Sequence, residues 1–129
     1  MASGEMTPHT IVLAMEDDPT DDNHKRSMDN VRRLELAAST WPGGLRIVRI
    51  PFPRPVMMQG ERLPASYANF YIANGVVMVP TFNDPSDRVA LNVIAELFPG
   101  REVVGIHAVD LVWGLGTLHC LTQQQPASP

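Results

Sequence analysis

Cys120 is the only thiol in a chain of 129 residues. It stands in Trp113-Gly114-Leu115-Gly116-Thr117-Leu118-His119-Cys120-Leu121-Thr122, and the polar run Gln123-Gln124-Gln125-Pro126 follows. A lone cysteine is most often a small buried hydrophobe. Here a glycine-rich turn delivers it onto what reads as a short strand. A sulfur so presented is a candidate nucleophile, because a thiolate activated by a nearby base attacks electrophilic carbon. His119 is the nearest candidate base. On a strand, however, neighbouring side chains point to opposite faces. A Cys120 that faces a site therefore turns His119 away, into a packed or hydrogen-bonded role. His107 and Asp110 lie just upstream, and nothing in the spacing brings them to the sulfur. Gly114 and Gly116 allow the backbone to approach a ligand closely, or simply make the turn.

The other polar groups read as structural. Glu16, Asp17, Asp18, Asp21 and Asp22 crowd together, but an oxygen-rich calcium loop needs alternating ligands and a turn glycine. This run has neither. Its tetrad Asp18-Pro19-Thr20-Asp21 recurs as Asp84-Pro85-Ser86-Asp87, where the neighbours are not acidic, so helix capping explains both. His9 and His24 read as ordinary surface residues. Tyr67, Asn69, Phe70 and Tyr71 sit on an alternating run that suits packing between neighbouring units. Residues 51–64 hold four prolines and two methionines, and a loop of that length is either a functional rim or mobile surface.

The formal net charge is −4, without a basic cluster, which argues against a nucleic-acid surface. No apolar run approaches the roughly 20 residues of a membrane-spanning helix. Residues 1–8 lack the basic start and apolar stretch of a signal peptide. A single cysteine makes no internal disulfide and suits a reducing, cytoplasmic setting. Residues 1–7 read as a disordered start or as residues added in cloning, residues 8–126 as the folded portion, and residues 127–129 as a tail.

The elements that must position these groups come from an internal repeat. Apolar runs at residues 10–15 and 75–80 read as buried strands, each leading into one of the acidic tetrads. In each tetrad the first Asp caps, Pro takes the first helical position, and the second Asp sits near the positive end of the helix dipole. The first helix spans about residues 19–39 and turns Met28, Val31, Leu34 and Ala38 inward. The second begins at Pro85, carries an apolar stripe of Val89, Ala90, Val93, Ile94 and Leu97, and stops at Phe98-Pro99-Gly100. Strands at residues 45–50 and 101–106 follow the helices. A further strand closes each unit, at residues 66–72 and 117–122. Asn74-Gly75 is a tight hairpin turn. The chain thus reads as two β-α-β-β units of an α/β fold. Two such units leave apolar strand edges and one sheet face uncovered, so self-association or pairing with further units is expected.

Several segments together resemble the agmatine deiminase and bacterial peptidylarginine deiminase family. They are His119-Cys120-Leu121-Thr122-Gln123-Gln124-Gln125-Pro126, Ser66-Tyr67-Ala68-Asn69-Phe70-Tyr71-Ile72-Ala73-Asn74-Gly75, Val79-Pro80-Thr81-Phe82-Asn83-Asp84-Pro85 and Phe98-Pro99-Gly100-Arg101-Glu102-Val103-Val104-Gly105-Ile106. The resemblance implies a pentein-type five-bladed α/β propeller of repeated ββαβ units with its site on the central axis. It implies that Cys120 is the nucleophile attacking a guanidinium carbon, with no metal or organic cofactor. It places Gly114, Gly116 and Thr117 at the substrate, a small guanidine such as agmatine. Family members draw on a histidine from an upstream His-x-Asp motif and on acidic residues that hold the guanidinium. Only the cysteine finds a counterpart here, so the chain is expected to be the C-terminal portion of such an enzyme and to be inactive alone. Where family members often carry Gly-Gly-Gly-Asn, this chain has Gly114-Leu115-Gly116-Thr117, which leaves agmatine itself and the looser peptidylarginine deiminase-like branch both open. The alternatives are a non-catalytic relative acting as an interaction module, and a cysteine enzyme that completes its site across an oligomer interface.

Overall fold

A computed structural model describes residues 7–128; most of the expected start, residues 1–6, and the last tail residue lie outside them. The first unit runs from strand β1 (Thr10–Met15) through helix α1 (Asp22–Thr40) to strand β2 (Arg46–Pro51). β1 and β2 pair in parallel, Thr10 opposite Arg46 and Met15 opposite Pro51. A parallel pair needs such a crossover. A small hairpin of β3 (Met57–Met58) and β4 (Glu61–Arg62) follows. Its turn uses Gln59 and Gly60 at φ 50° and 82°. The second unit is β5 (Tyr71–Ile72), β6 (Val76–Thr81), α2 (Ser86–Leu97) and β7 (Glu102–His107). β6 is central, antiparallel to β5 across the Asn74-Gly75 turn and parallel to β7.

The core lies in the second unit and reaches into the first. Tyr67, Val77, Val79, Ala90 and Ile94 are wholly buried, and Ile50 of β2 joins them. α2 packs on β2 as well as on β7. It comes close to β7 because Gly105 has no side chain. A Cβ there would stand 2.9 Å from Thr81 Cγ2 and 3.3 Å from Leu91 Cδ1.

The two helix starts differ from each other. At α2, Asp84 Oδ1 accepts from Ser86 N at 2.8 Å, and Pro85 already has helical φ and ψ, as the tetrad suggests. At α1 the helix begins later, at Asp22. Asp21 is its cap, with Oδ1 accepting from Asn23 N at 2.8 Å. Asp18 instead closes a preceding turn, taking Thr20 N at 2.9 Å and Thr20 Oγ1 at 2.7 Å. Such a local side-chain bond offers the backbone an alternative to helix. The inward face is also narrower than expected. Val31 and Ser27 are buried on α1, whereas Met28 is 49% exposed. On α2, Ala90, Ile94 and Leu97 are buried but Val89 is not. His24 is half-buried rather than on the surface, its Nδ1 2.8 Å from the Glu16 carbonyl oxygen.

Residues 51–64 are tied down at both ends. Arg62 Nη1 lies 2.8 Å from Asp21 Oδ1. Arg54 places Nε 3.3 Å from Asp84 Oδ2 and donates its backbone N–H to the same oxygen at 2.9 Å. The segment thus joins the start of α1 to the start of α2. Both carboxyls are held below their ordinary value. For Asp21 the chief cause is the Arg62 hydrogen bond, then that from Asn23 N. For Asp84 burial opposes ionisation, but the Ser86 and Arg54 backbone N–H groups and the Arg54 charge outweigh it. A carboxyl whose folded value is depressed lends stability that is complete above its unfolded value and lost as pH falls through the folded one. The melting midpoint should therefore drop as pH falls below the ordinary 3.8. Double replacement Arg54→Ala with Arg62→Ala should flatten that drop; an unchanged acid profile would show that the two pairs contribute nothing.

Candidate active site

After β7 the chain leaves the sheet in a tight descent. Ala108 N donates to Thr81 O at 2.9 Å, and Val112 N to Ala108 O at 2.9 Å. A 3₁₀ turn at Leu111–Gly114 buries Val112 and ends on Leu115 in the left-handed region, φ 69°. Residues 117–122 then form a compact turn, not the expected strand. Leu121 N donates to Thr117 O and Thr122 N to His119 O, each at 3.2 Å. Off a strand, His119 and Cys120 are no longer forced onto opposite faces.

Asn69 explains why this segment coils. It reaches from 51 residues earlier and engages the turn on both its backbone and its side chain. Its carbonyl oxygen accepts from His119 N at 3.2 Å and from Thr117 Oγ1 at 3.5 Å. Its Oδ1 accepts from Cys120 N at 3.2 Å, and its Nδ2 donates to Cys120 Sγ at 3.0 Å. The amide orientation is set by chemistry: a backbone N–H is a donor only, so the oxygen must face it and the NH₂ must face sulfur.

Asn69 is itself held by the core. The run 66–72 is strand only at Tyr71–Ile72; before that, Asn69 N donates to Ser66 O at 3.3 Å and Ala68 N to Ser66 Oγ at 3.1 Å. Tyr67 anchors this bend. It is wholly buried, stacks edge-on with Phe82 at 5.5 Å, and donates its hydroxyl to Asp87 Oδ1 at 2.6 Å. Burial above all, then the Asp87 hydrogen bond and charge, pushes the Tyr67 hydroxyl far up and keeps it protonated. Asp87 also accepts from Phe82 N and Asp84 N, each at 3.1 Å. It braces the site from behind, a role that its reading as a helix-dipole charge missed.

Cys120 is free and exposed. Gly116 lies under it. A Cβ on Gly116 would stand 2.7 Å from Cys120 Cβ and 3.0 Å from Sγ, so the turn closes only because that side chain is absent. Thr117 is 1% exposed, with its hydroxyl turned to Asn69. Gly114 is exposed with open space around it. Among the described residues, Asn69 is the only hydrogen-bond partner of the sulfur. His107 ends β7 opposite Thr81 and Asp110 opens the 3₁₀ turn. Among the described residues neither is bonded to Cys120, and the His119 ring has no hydrogen bond.

The arrangement is an exposed thiol on a turn pinned to a rigid core. The family model described as Porphyromonas-type peptidyl-arginine deiminase matches residues 5–126. The chain belongs to this family. An agmatine deiminase of Pseudomonas fluorescens is 35% identical over 93% of this chain and 38% of its own length. Among solved structures, a protein of Porphyromonas gingivalis described as a candidate arginine deiminase is 41% identical, with a TM-score of 0.86 over 92% of this chain and 35% of that one. An agmatine deiminase of Enterococcus faecalis is 26% identical, with a TM-score of 0.83 over 97% of this chain and 40% of that one. The chain thus spans about 38% of the length of these curated relatives, and its mixed α/β fold matches part of the solved deiminase structures. Among the described residues, no helix is long and apolar enough to cross a membrane.

Proposed function

We propose that this chain is the nucleophile-bearing part of a guanidine deiminase, and that Cys120 attacks the guanidinium carbon of a small substrate such as agmatine or a related guanidine. One observation carries the reading. The family match runs to residue 126 and takes in the chain's only thiol, which the fold leaves exposed instead of burying. In this reading the two units are blades of a pentein-type propeller, with the turn at residues 114–120 on the axis and Gly114, Gly116 and Thr117 shaping the substrate's approach.

The thiolate adds to the guanidinium carbon and gives a neutral tetrahedral adduct. A proton delivered to one amino group lets ammonia leave, and a cationic amidino-cysteine remains. Water adds to that carbon, two protons depart, and the thiolate is expelled as the ureido product forms. The substrate cation is permanently charged and offers forked donors, so carboxylates must hold it, and a general acid–base must move the protons. Among the described residues none of these groups touches Sγ. They come from further blades or from a second copy of the chain, and the isolated chain turns nothing over. The protein works in the cytoplasm, where the thiol stays reduced.

A 2-haloacetamidine tests this reading, because its planar amidinium mimics the substrate and its carbon alkylates only a reactive thiol. We expect a single adduct on Cys120, slowed by agmatine, in the protein assembled with the remaining deiminase blades. The isolated chain should form no ureido product above a Cys120→Ala control. Labelling no faster than that of free cysteine in the assembled protein would favour the other reading, a non-catalytic relative that works by association through apolar groups such as the exposed Leu36 and Trp41.

A further inference from the structure

We propose that the cleft between the start of α1 and residues 52–66 binds a small monocarboxylate with an apolar body, its carboxylate held by Arg26, Arg54 and Arg62. Neither Cys120 nor its turn lines this cleft, so the inference is independent of the thiol's role. The cavity measures about 480 Å³, within the ~300–1,000 Å³ typical of small-molecule sites. Phe52, Pro55 and Leu63 give it an apolar wall. The rest of its lining sets those three guanidinium groups against a single carboxylate, Asp22. Apolar walls with a few convergent charged groups are the usual build of a small-molecule site.

The segment that walls the cleft is held in place without a ligand. Leu63 N donates to Val56 O and Ala65 N to Leu63 O, each at 2.8 Å, and the Leu63 side chain is buried in the core. Arg62 spends only Nη1 on Asp21, and Arg54 only Nε and its backbone N–H on Asp84. A guanidinium carries five N–H donors, so both arginines anchor the segment and still have donors to offer. Arg26 lines the same cleft and, among the described residues, has neither hydrogen bond nor ion pair. The planar fork of an arginine matches a carboxylate with two parallel bonds. Asp21 and Asp84 line the adjoining cleft instead. From there, with Asp22, they repel a second negative charge, which favours a monoanion over a phosphate dianion. A bare inorganic anion would also leave the apolar wall in water.

Phenylacetate is the probe, titrated into this 129-residue chain while the backbone amide resonances of Val56, Leu63 and Ser66 are followed. These should move and saturate, with a dissociation constant on the order of 1 mM or tighter. The alcohol phenethanol keeps the ring without the charge and should bind at least ~10-fold more weakly, the worth of a hydrogen bond to a charged group. Inorganic phosphate should also bind more weakly. Arg26→Gln removes an exposed charge on the surface of α1, so the fold stays intact, and it should weaken phenylacetate by roughly tenfold. Unmoved resonances overturn the proposal. So does phenethanol or phosphate binding as tightly as phenylacetate, or Arg26→Gln binding like wild type. Tighter binding of a tripeptide ending in phenylalanine would assign the cleft to a peptide terminus and overturn the small acid. Should Arg26→Gln fail to fold, the comparison of phenylacetate with phenethanol on wild type still decides.

Discussion

Replacing Cys120 by Ser in a form of the protein that turns guanidines over should abolish ureido formation while leaving substrate binding intact. The loss expected is large. In enzymes built on an activated nucleophile, deleting one member of the catalytic unit costs roughly 10⁴- to 10⁶-fold in kcat. A serine hydroxyl is a far weaker nucleophile than a thiolate at neutral pH. The substitution is also nearly isosteric, and Cys120 is exposed, so the fold should not suffer. The backbone bond from residue 120 to Asn69 Oδ1 survives, since the main chain supplies its donor. The check is steady-state ureido production alongside equilibrium binding of the substrate. A Cys120→Ser protein within about tenfold of wild type, ~1.4 kcal/mol in barrier, would end the assignment of Cys120 as nucleophile.

Gly116→Val should be the most damaging change next to the thiol, although position 116 carries no functional group. Its first side-chain carbon would lie 2.7 Å from Cys120 Cβ and 3.0 Å from Sγ, well inside van der Waals contact. Either the Cys120 turn moves or the 3₁₀ turn before it does. Overpacking of this kind typically costs about 1–3 kcal/mol. A misplacement of roughly 1 Å in a reacting group costs on the order of 10²-fold in rate. Leu115→Gly, one residue earlier, is the contrast. Leu115 holds φ 69° and is 72% exposed, so glycine there relieves a left-handed backbone and loses little packing. We expect the melting midpoint to fall in Gly116→Val and to hold or rise slightly in Leu115→Gly, with thiol alkylation altered only in the former. A Gly116→Val protein with native melting and native alkylation would show that the turn has slack that the packing does not suggest.

Much of the framework was legible in the chain itself. The four long strands at residues 10–15, 46–51, 76–81 and 102–107 are apolar runs bounded by turn residues. Both helices start at acidic tetrads, α2 within its own and α1 just after, and the Asn74-Gly75 hairpin is where the dipeptide puts it. These signals are local, and local propensity and burial agree at each of them. The family was legible for a similar reason, since its motifs are contiguous in sequence. What sequence spacing misjudged lies where a long-range contact overrides local preference. Residues 117–122 alternate like a strand and carry two threonines, yet they coil, because Asn69 takes their N–H groups in place of a neighbouring strand. Residues 66–70 read as strand, yet they bend around Tyr67, because a buried hydroxyl must find its acceptor and finds Asp87. Asp21 instead of Asp18 caps α1, because Asp18 is taken up by Thr20 in a turn before the helix.

Sequence alone therefore determined the four long strands, the two helices, the family and the single thiol. Which side chain meets that thiol was decided only in three dimensions. Asn69 and Cys120 are 51 residues apart, a separation with no periodicity to betray it. Only the folded core, closing β5–β6–β7 over α2, brings the carboxamide to within 3.0 Å of the sulfur.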